Sequence, residues 1–66
     1  MGAIEKIKLM RDVEIAARDA TMDKIAATND PAEIAKLSAE FSGHCMAVGA
    51  FVMALEAIEE ESNGGE

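Results

Sequence analysis

The six residues TNDPAE at positions 28–33 are predicted to end one helix and to begin another, so they divide the chain into two helices. Asp30 is suited to be an N-cap, since its carboxylate can accept hydrogen bonds from the free N–H groups of the next turn. Pro31 follows at the first helical position, where its missing N–H is not needed, and Glu33 completes a capping box with Asp30. Asn29 suits the left-handed conformation that often ends a helix. These signals agree in predicting a break between two helices.

The sequence on both sides of this turn favours long helices. No glycine or proline occurs from residue 3 to residue 27, and after Pro31 only Gly43 and Gly49 weaken the helical pattern. Because the turn is short, the two helices are expected to run antiparallel as a hairpin. The prediction is one all-α domain, 1–61, with a helix at about 3–27, a turn at 28–30, a helix at about 31–61, and then a disordered acidic tail at 62–66.

The composition fits a single helical domain. Half of the 66 residues are hydrophobic, which is too many for a disordered chain, and Phe41 and Phe51 are the only aromatic residues. Cys45 is the only cysteine, so a disulfide scaffold is excluded and a reducing compartment, the cytoplasm, is expected.

The second predicted helix carries two stripes at coiled-coil spacing. The bulky stripe, with one polar member, consists of Ile34, Leu37, Phe41, His44, Val48, Phe51, Leu55 and Ile58. The small stripe, which would let helix backbones approach closely, consists of Gly43, Ala47, Ala50, Ala54 and Ala57. A lone hairpin cannot bury both stripes, so we expect a homo-oligomer, either a dimeric four-helix bundle or a larger ring. Its predicted interface is the small stripe together with His44, Val48 and Phe51.

The first predicted helix also has two faces. One is apolar at its ends and basic in the middle, and consists of Ile4, Lys8, Arg11, Ile15, Arg18, Met22 and Ile25. The other consists of Leu9, Val13, Ala16, Ala20 and Ala27. Apolar residues on two faces of this helix as well reinforce the expectation of self-association.

A cationic cluster on the first helix is the candidate binding site. Arg11 and Arg18 are two turns apart on one face with Lys8 beside them, whereas residues 29–66 contain eight acids and a single base. The guanidinium fork binds phosphate and carboxylate groups, so these three residues are predicted to bind a ligand. The alternative is a solvated salt-bridge face, because Glu14 is spaced to pair with both arginines.

The sequence brings no catalytic or metal-binding set together. His44 and Cys45 are adjacent, but neighbouring helical residues point about 100° apart. Glu40 and His44 share a face, yet too few inward carboxylates follow for a metal centre. We therefore expect no enzymatic activity, no metal and no cofactor. His44 is expected instead to fix the helix register or to meet its symmetry mate.

The stretch Cys45–Leu55, CMAVGAFVMAL, has no polar side chain for eleven residues. A helix that crosses a bilayer needs about 20 apolar residues, and acidic residues begin at Glu56. The expectation is therefore a helix buried in a protein assembly and no membrane span.

The layout of the whole chain resembles the Rop family of plasmid RNA-binding hairpins. The shared features are the chain length, a turn near residue 30, a histidine and a cysteine in the second helix, and a polar tail. The resemblance includes no specific motif. It implies a dimeric four-helix bundle that binds RNA through the first helix, where Lys8, Arg11 and Arg18 would act. The net charge of −7, however, disfavours nucleic acid binding.

The expected function is that of a small, non-enzymatic, homo-oligomeric regulator or inhibitor that binds another macromolecule, with a protein as the expected partner. Phage and plasmid proteins are often of this size and kind. Two alternatives stay open: a sponge that sequesters an anionic, nucleotide-like small molecule between protomers through Arg11 and Arg18, and a Rop-like RNA binder.

Overall fold

The computed structural model describes residues 2–64, which form two α-helices joined by a short turn. Helix α1 spans Ala3–Ala27 and helix α2 spans Pro31–Gly64. The helices pack against each other as an antiparallel hairpin, and the described range contains no strand. The predicted all-α hairpin is therefore confirmed, with both helix ends at the turn where the sequence placed them.

Side-chain hydrogen bonds hold the turn. Asp30 Oδ1 accepts a hydrogen bond from the Ala32 N–H at 3.1 Å, which confirms the predicted N-cap. The Asp30 N–H donates to Thr28 Oγ1 at 3.2 Å, and the Thr28 hydroxyl donates to Glu33 Oε2 at 3.3 Å. Thr28 thus stands between the two residues of the predicted capping box and replaces their direct bond.

The end of α1 differs from the prediction for Asn29. No non-glycine residue in the described range has a positive φ, so Asn29 does not adopt the left-handed conformation. Thr28 leaves the helix in an extended conformation instead, at φ −111° and ψ 147°. An extended Thr28 brings its hydroxyl to Asp30 and Glu33, and these bonds define the turn without a left-handed residue.

Helix α2 runs three residues beyond its predicted end at residue 61, because it continues to Gly64. Serine and asparagine cost an existing helix only a few tenths of a kcal/mol each, and extending a helix is far easier than starting one. The predicted disordered tail at 62–66 is therefore corrected for 62–64, where the backbone is helical. Residues 65 and 66 lie outside the described part of the chain.

The two helices meet along a seam with regular three- and four-residue spacing. On α2 every member of the bulky stripe is buried or half-buried, as that pattern predicts. On α1 the seam residues are Ile7, Arg11, Glu14, Arg18, Thr21, Ile25 and Thr28. Among the described residues only Leu37, Leu55 and Thr21 are buried, and the Thr21 hydroxyl donates a hydrogen bond to the Ala17 carbonyl at 2.8 Å.

The mixed face predicted for α1 is rotated relative to the observed seam. Ile4, Lys8 and Met22 are exposed, while Ile7, Glu14 and Thr21 take the positions against α2. Arg11, Arg18 and Ile25 belong to both sets. Hydrophobicity alone points to the wrong stripe. The four seam residues in the middle of α1, which are Arg11, Glu14, Arg18 and Thr21, are all polar.

The hairpin is a thin slab that measures 55 × 20 × 12 Å, so it is one helix thick and has two broad faces. Antiparallel helices are related by an approximate twofold axis perpendicular to the slab, so equivalent flanks of the two seams lie on the same face. The front face consists of Met10, Val13, Ala17 and Ala20 on α1 and Gly43, Ala47, Ala50, Ala54 and Ala57 on α2. The back face consists of Lys8, Asp12, Ile15, Asp19 and Met22 on α1 and Ser42, Cys45, Gly49 and Val52 on α2.

Candidate functional site

A polar pair lies at the middle of the seam. His44 Nδ1 of α2 is 2.6 Å from Glu14 Oε2 of α1, and each side chain is 31 % exposed. Because an ionised carboxylate only accepts hydrogen bonds, the Nδ1 atom carries the hydrogen and donates it. The bond joins residues 30 positions apart in sequence, so it directly ties one helix to the other.

The two arginines predicted to bind a ligand lie in the same seam, on either side of Glu14. The Arg11 guanidinium binds Asp12 Oδ1 at 3.0 Å, and that of Arg18 binds Asp19 Oδ1 at 3.2 Å. Both arginine side chains are about one-third exposed, and both aspartates about two-thirds exposed. Glu14 is therefore not their partner, because it binds His44 instead. Both arginines nevertheless form the surface ion pairs that the salt-bridge alternative expected, with Asp12 and Asp19 in place of Glu14.

Lys8, the third member of the predicted site, is exposed on the back face near Asp12 in sequence. Arg11 and Arg18 lean toward the same face, since their partners Asp12 and Asp19 lie on it. The structure thus brings the three predicted basic residues to one side of the hairpin. It surrounds them with carboxylates, so the surface is mixed in charge and is not a basic patch.

The predicted oligomer interface divides into two groups. His44, Val48 and Phe51 are half-buried within the seam and already contact α1. Gly43, Ala50 and Ala57 are exposed on the front face, and Ala47 and Ala54 are half-buried beside them. The first group therefore builds the hairpin itself, while the small stripe remains open in the single chain.

Large apolar side chains stand outside the seam on both helices. Met46 and Met53 on α2 are 76 % and 70 % exposed, and Val13 on α1 is 59 % exposed. Leu9, Met10 and Met22 are about half exposed. So much exposed apolar surface on a small chain is typical of a protein–protein or membrane contact.

Helix α2 also contains an 18-residue window, within Pro31–Glu61, that is long and apolar enough to cross a membrane. The eleven-residue stretch that the sequence points to is thus part of a longer apolar segment. Helix α1 packs along this segment and bonds to it through Glu14 and His44.

The part of the chain that the structure describes contains no pocket, and no three His, Cys, Asp or Glu residues are grouped to hold a metal ion. Glu40 is exposed, while His44 is turned to Glu14. Cys45 is a half-buried free thiol on the back face. No family model, no curated protein and no solved structure matches this chain. The likeness to the Rop family therefore rests on the layout of the chain alone.

Sequence reasoning missed the role of Glu14 as the partner of His44. One signal could have revealed it. The α1 residues from Ile7 to Thr28 that form the seam alternate three- and four-residue steps, as the bulky stripe of α2 does, and Glu14 is one of them. It also missed Asp12 and Asp19, since residues next to each other on a helix are usually too far apart in direction to pair. The long arginine side chains span that angle.

Proposed function

We propose that this chain is a small, non-enzymatic helical protein that self-associates and regulates or inhibits another macromolecule by binding to it, with a protein as its partner. The observation that supports this proposal best is the outward direction of its apolar side chains. Met46, Met53 and Val13 are mostly exposed, whereas only Leu37 and Leu55 are buried hydrophobic residues in the described range. Such a surface is suited to contacts with other chains.

The back face is the part of the surface that we assign to the partner. It combines Arg11, Arg18 and Lys8 with the exposed side chain of Met22, and apolar groups next to arginine are common at protein interfaces. The adjacent Asp12 and Asp19 give this face both charges. A surface of mixed charge favours a protein over the uniformly negative backbone of a nucleic acid.

A small anion is less well suited to this site than a protein. Arg11 and Arg18 are already paired with carboxylates, and an anion must displace Asp12 and Asp19 to reach both guanidinium groups. The two arginines are also about 10 Å apart along the helix, at 1.5 Å per residue. A sponge function therefore stays an alternative outcome of the experiment below.

The proposal places the protein in the cytoplasm as a soluble assembly. If α2 crossed a membrane, α1 would either have to separate from α2 or enter the bilayer together with its five acidic and five basic residues. Separation would break the bond between Glu14 and His44 and put His44 near the middle of the apolar segment without a partner. The polar seam along α1 thus supports a partner other than lipid.

The experiment is affinity capture from a lysate of the cells that encode the protein, with quantification of proteins, RNA and small metabolites. The wild type is compared with Arg11→Ala/Arg18→Ala and with the charge-matched control Lys24→Ala/Lys36→Ala. The expected result is one protein retained in stoichiometric amount by the wild type and the control and lost with the arginine variant. Retention of RNA that falls steeply with salt, or of a nucleotide-like metabolite, would support an alternative function instead.

A further inference from the structure

We propose that a second copy of this chain docks on the front face, so that two hairpins form a four-helix bundle with the Glu14–His44 pairs next to its twofold axis. This inference rests on the self-association in the proposed function and adds which face is used and what lies at its centre. It leaves the two back faces on opposite outer sides of the bundle.

The hairpin exposes more surface than a compact monomer of its mass, and this excess is close to the area that one partner contributes to a stable dimer. A compact monomer of 7.0 kDa exposes about 4,000 Å². This chain exposes 4788 Å², which is roughly 800 Å² more. A stable interface of standard size buries about 800 Å² on each partner. One broad face of a slab one helix thick can supply that area.

The chemistry of the two faces selects the front one. Its centre consists of alanine and glycine together with Met10 and Val13, and the alanines and glycine allow close packing of helices. The described charged residues on this face are Lys6, Lys24, Glu33, Lys36, Glu40 and Glu61, and of these only Glu40 lies within about one turn of its centre. The back face, in contrast, carries Asp12, Asp19 and their arginines near its centre.

When two front faces stack with full overlap, the twofold axis between them runs parallel to both faces, and the Glu14–His44 pair near the midpoint of the hairpin lies next to it. Glu14 is near the midpoint of Ala3–Ala27, and His44 is opposite to it. Helical spacing puts both residues beside the front face, because Glu14 is three residues before Ala17 and His44 is three residues before Ala47, and about a third of each side chain is exposed. Polar residues in the core of a helical bundle fix its register and its oligomeric state.

The first experiment compares one acidic substitution on each face. Ala50→Glu puts a charge on the front face and Ser42→Glu puts one on the back face, and both positions are exposed in the hairpin. Sedimentation equilibrium from 1 to 200 µM gives the dimer dissociation constant, and far-UV circular dichroism monitors helix content. We expect Ala50→Glu to raise this constant at least 100-fold and Ser42→Glu to change it less than threefold. Equal effects, or the reverse order, would overturn the proposed face.

A second experiment measures proximity rather than dimer stability, and it is carried out at concentrations at which sedimentation shows each variant to be a dimer. In a Cys45→Ser background, Gly43→Cys and Ser42→Cys place a thiol on the front and the back face, respectively. A Cβ at Gly43 meets no atom within 4 Å, so the hairpin tolerates the substitution. A short bis-maleimide should link two Gly43→Cys chains at least tenfold faster than two Ser42→Cys chains. Linking through Ser42→Cys alone, or through neither in a sedimenting dimer, would contradict the front face.

The outcomes also separate this inference from the proposed function. If the wild type sediments as a dimer but cross-linking occurs through the back face, the protein self-associates and only the proposed arrangement is overturned. A folded 7.0 kDa monomer at 200 µM overturns both the arrangement and the self-association on which it rests.

Discussion

Glu14 of α1 and His44 of α2 share a 2.6 Å hydrogen bond at the middle of the hairpin, in a seam whose other α2 members are all apolar. This bond sets the register of the helices. A slip of one heptad would place Glu14 opposite Leu37 or Phe51, where its half-buried carboxylate finds no donor. Leaving such a group unsatisfied costs about 1–3 kcal/mol, so the pair specifies one alignment of the two helices.

The first prediction concerns the energy of this pair. Glu14→Gln and His44→Gln should each lower the free energy of unfolding by about 1 kcal/mol, since each replaces one partner of a half-buried hydrogen bond. The double variant should cost about 1 kcal/mol less than the sum of the two single variants. Thermal and urea unfolding at a fixed protein concentration measure this coupling. Glu40→Gln, at an exposed position on α2, is the control, and additive effects of Glu14→Gln and His44→Gln would contradict a direct interaction.

The second prediction concerns the turn. Asp30→Ala should reduce stability by about 1 kcal/mol, because it removes the acceptor for the Ala32 N–H at the start of α2. Asn29→Ala should have a much smaller effect, since Asn29 is exposed and does not adopt a left-handed conformation. Urea unfolding of both variants measures the difference. An equal loss for the two variants would mean that the cap does not stabilise the helix.

The third prediction separates binding from stability at the arginines. Arg11→Ala/Arg18→Ala should lower stability by about 1 kcal/mol or less, because partly exposed pairs with Asp12 and Asp19 contribute little. Binding of the captured partner should weaken by about 1.5–3 kcal/mol for each charged hydrogen bond lost, which is at least tenfold. Calorimetric titration and thermal unfolding test the two effects. Unchanged binding by a folded double variant would show that these residues only form a salt-bridge surface.

The fourth prediction uses the two glycines in the interior of α2. A Cβ at Gly43 or Gly49 meets no atom within 4 Å, so glycine-to-alanine at either site should stabilise the helix by about 1 kcal/mol. The two sites lie on opposite faces, however. Gly43→Ala should weaken the dimer by crowding the front face, whereas Gly49→Ala should not. Unfolding and sedimentation on the same samples compare the two variants.

The fifth prediction concerns the apolar window in α2. The protein should remain in the supernatant after ultracentrifugation of a cell lysate, and it should not associate with liposomes, because α1 packs along α2 with its charged residues. Flotation with liposomes of neutral and anionic lipid measures this directly. A liposome-bound fraction that resists carbonate extraction would show that α2 inserts into the bilayer and would overturn the cytoplasmic assignment.

The sequence is enough to predict the two helices, the turn between them and the α2 side of the seam. These features depend on local rules. An N-cap aspartate followed by proline favours the start of a helix through interactions within one turn. Bulky residues at every third or fourth position form a stripe on any helix. The same rules placed Arg11, Arg18 and Lys8 near one another. They gave no sign that Thr28 rather than Glu33 would bind the Asp30 N–H, because both side chains compete within one turn.

The docking of the two helices, in contrast, selects the face of α1 that meets α2 and the partner that Glu14 takes. The α1 seam carries Arg11, Glu14, Arg18 and Thr21 at its centre, so its pattern of hydrophobicity does not mark it. Its position becomes clear only when α2 brings His44 to within 2.6 Å of Glu14. A hydrogen bond between residues 30 positions apart depends on how two rigid helices dock, and docking reflects the packing of both surfaces together rather than the preferences of either segment.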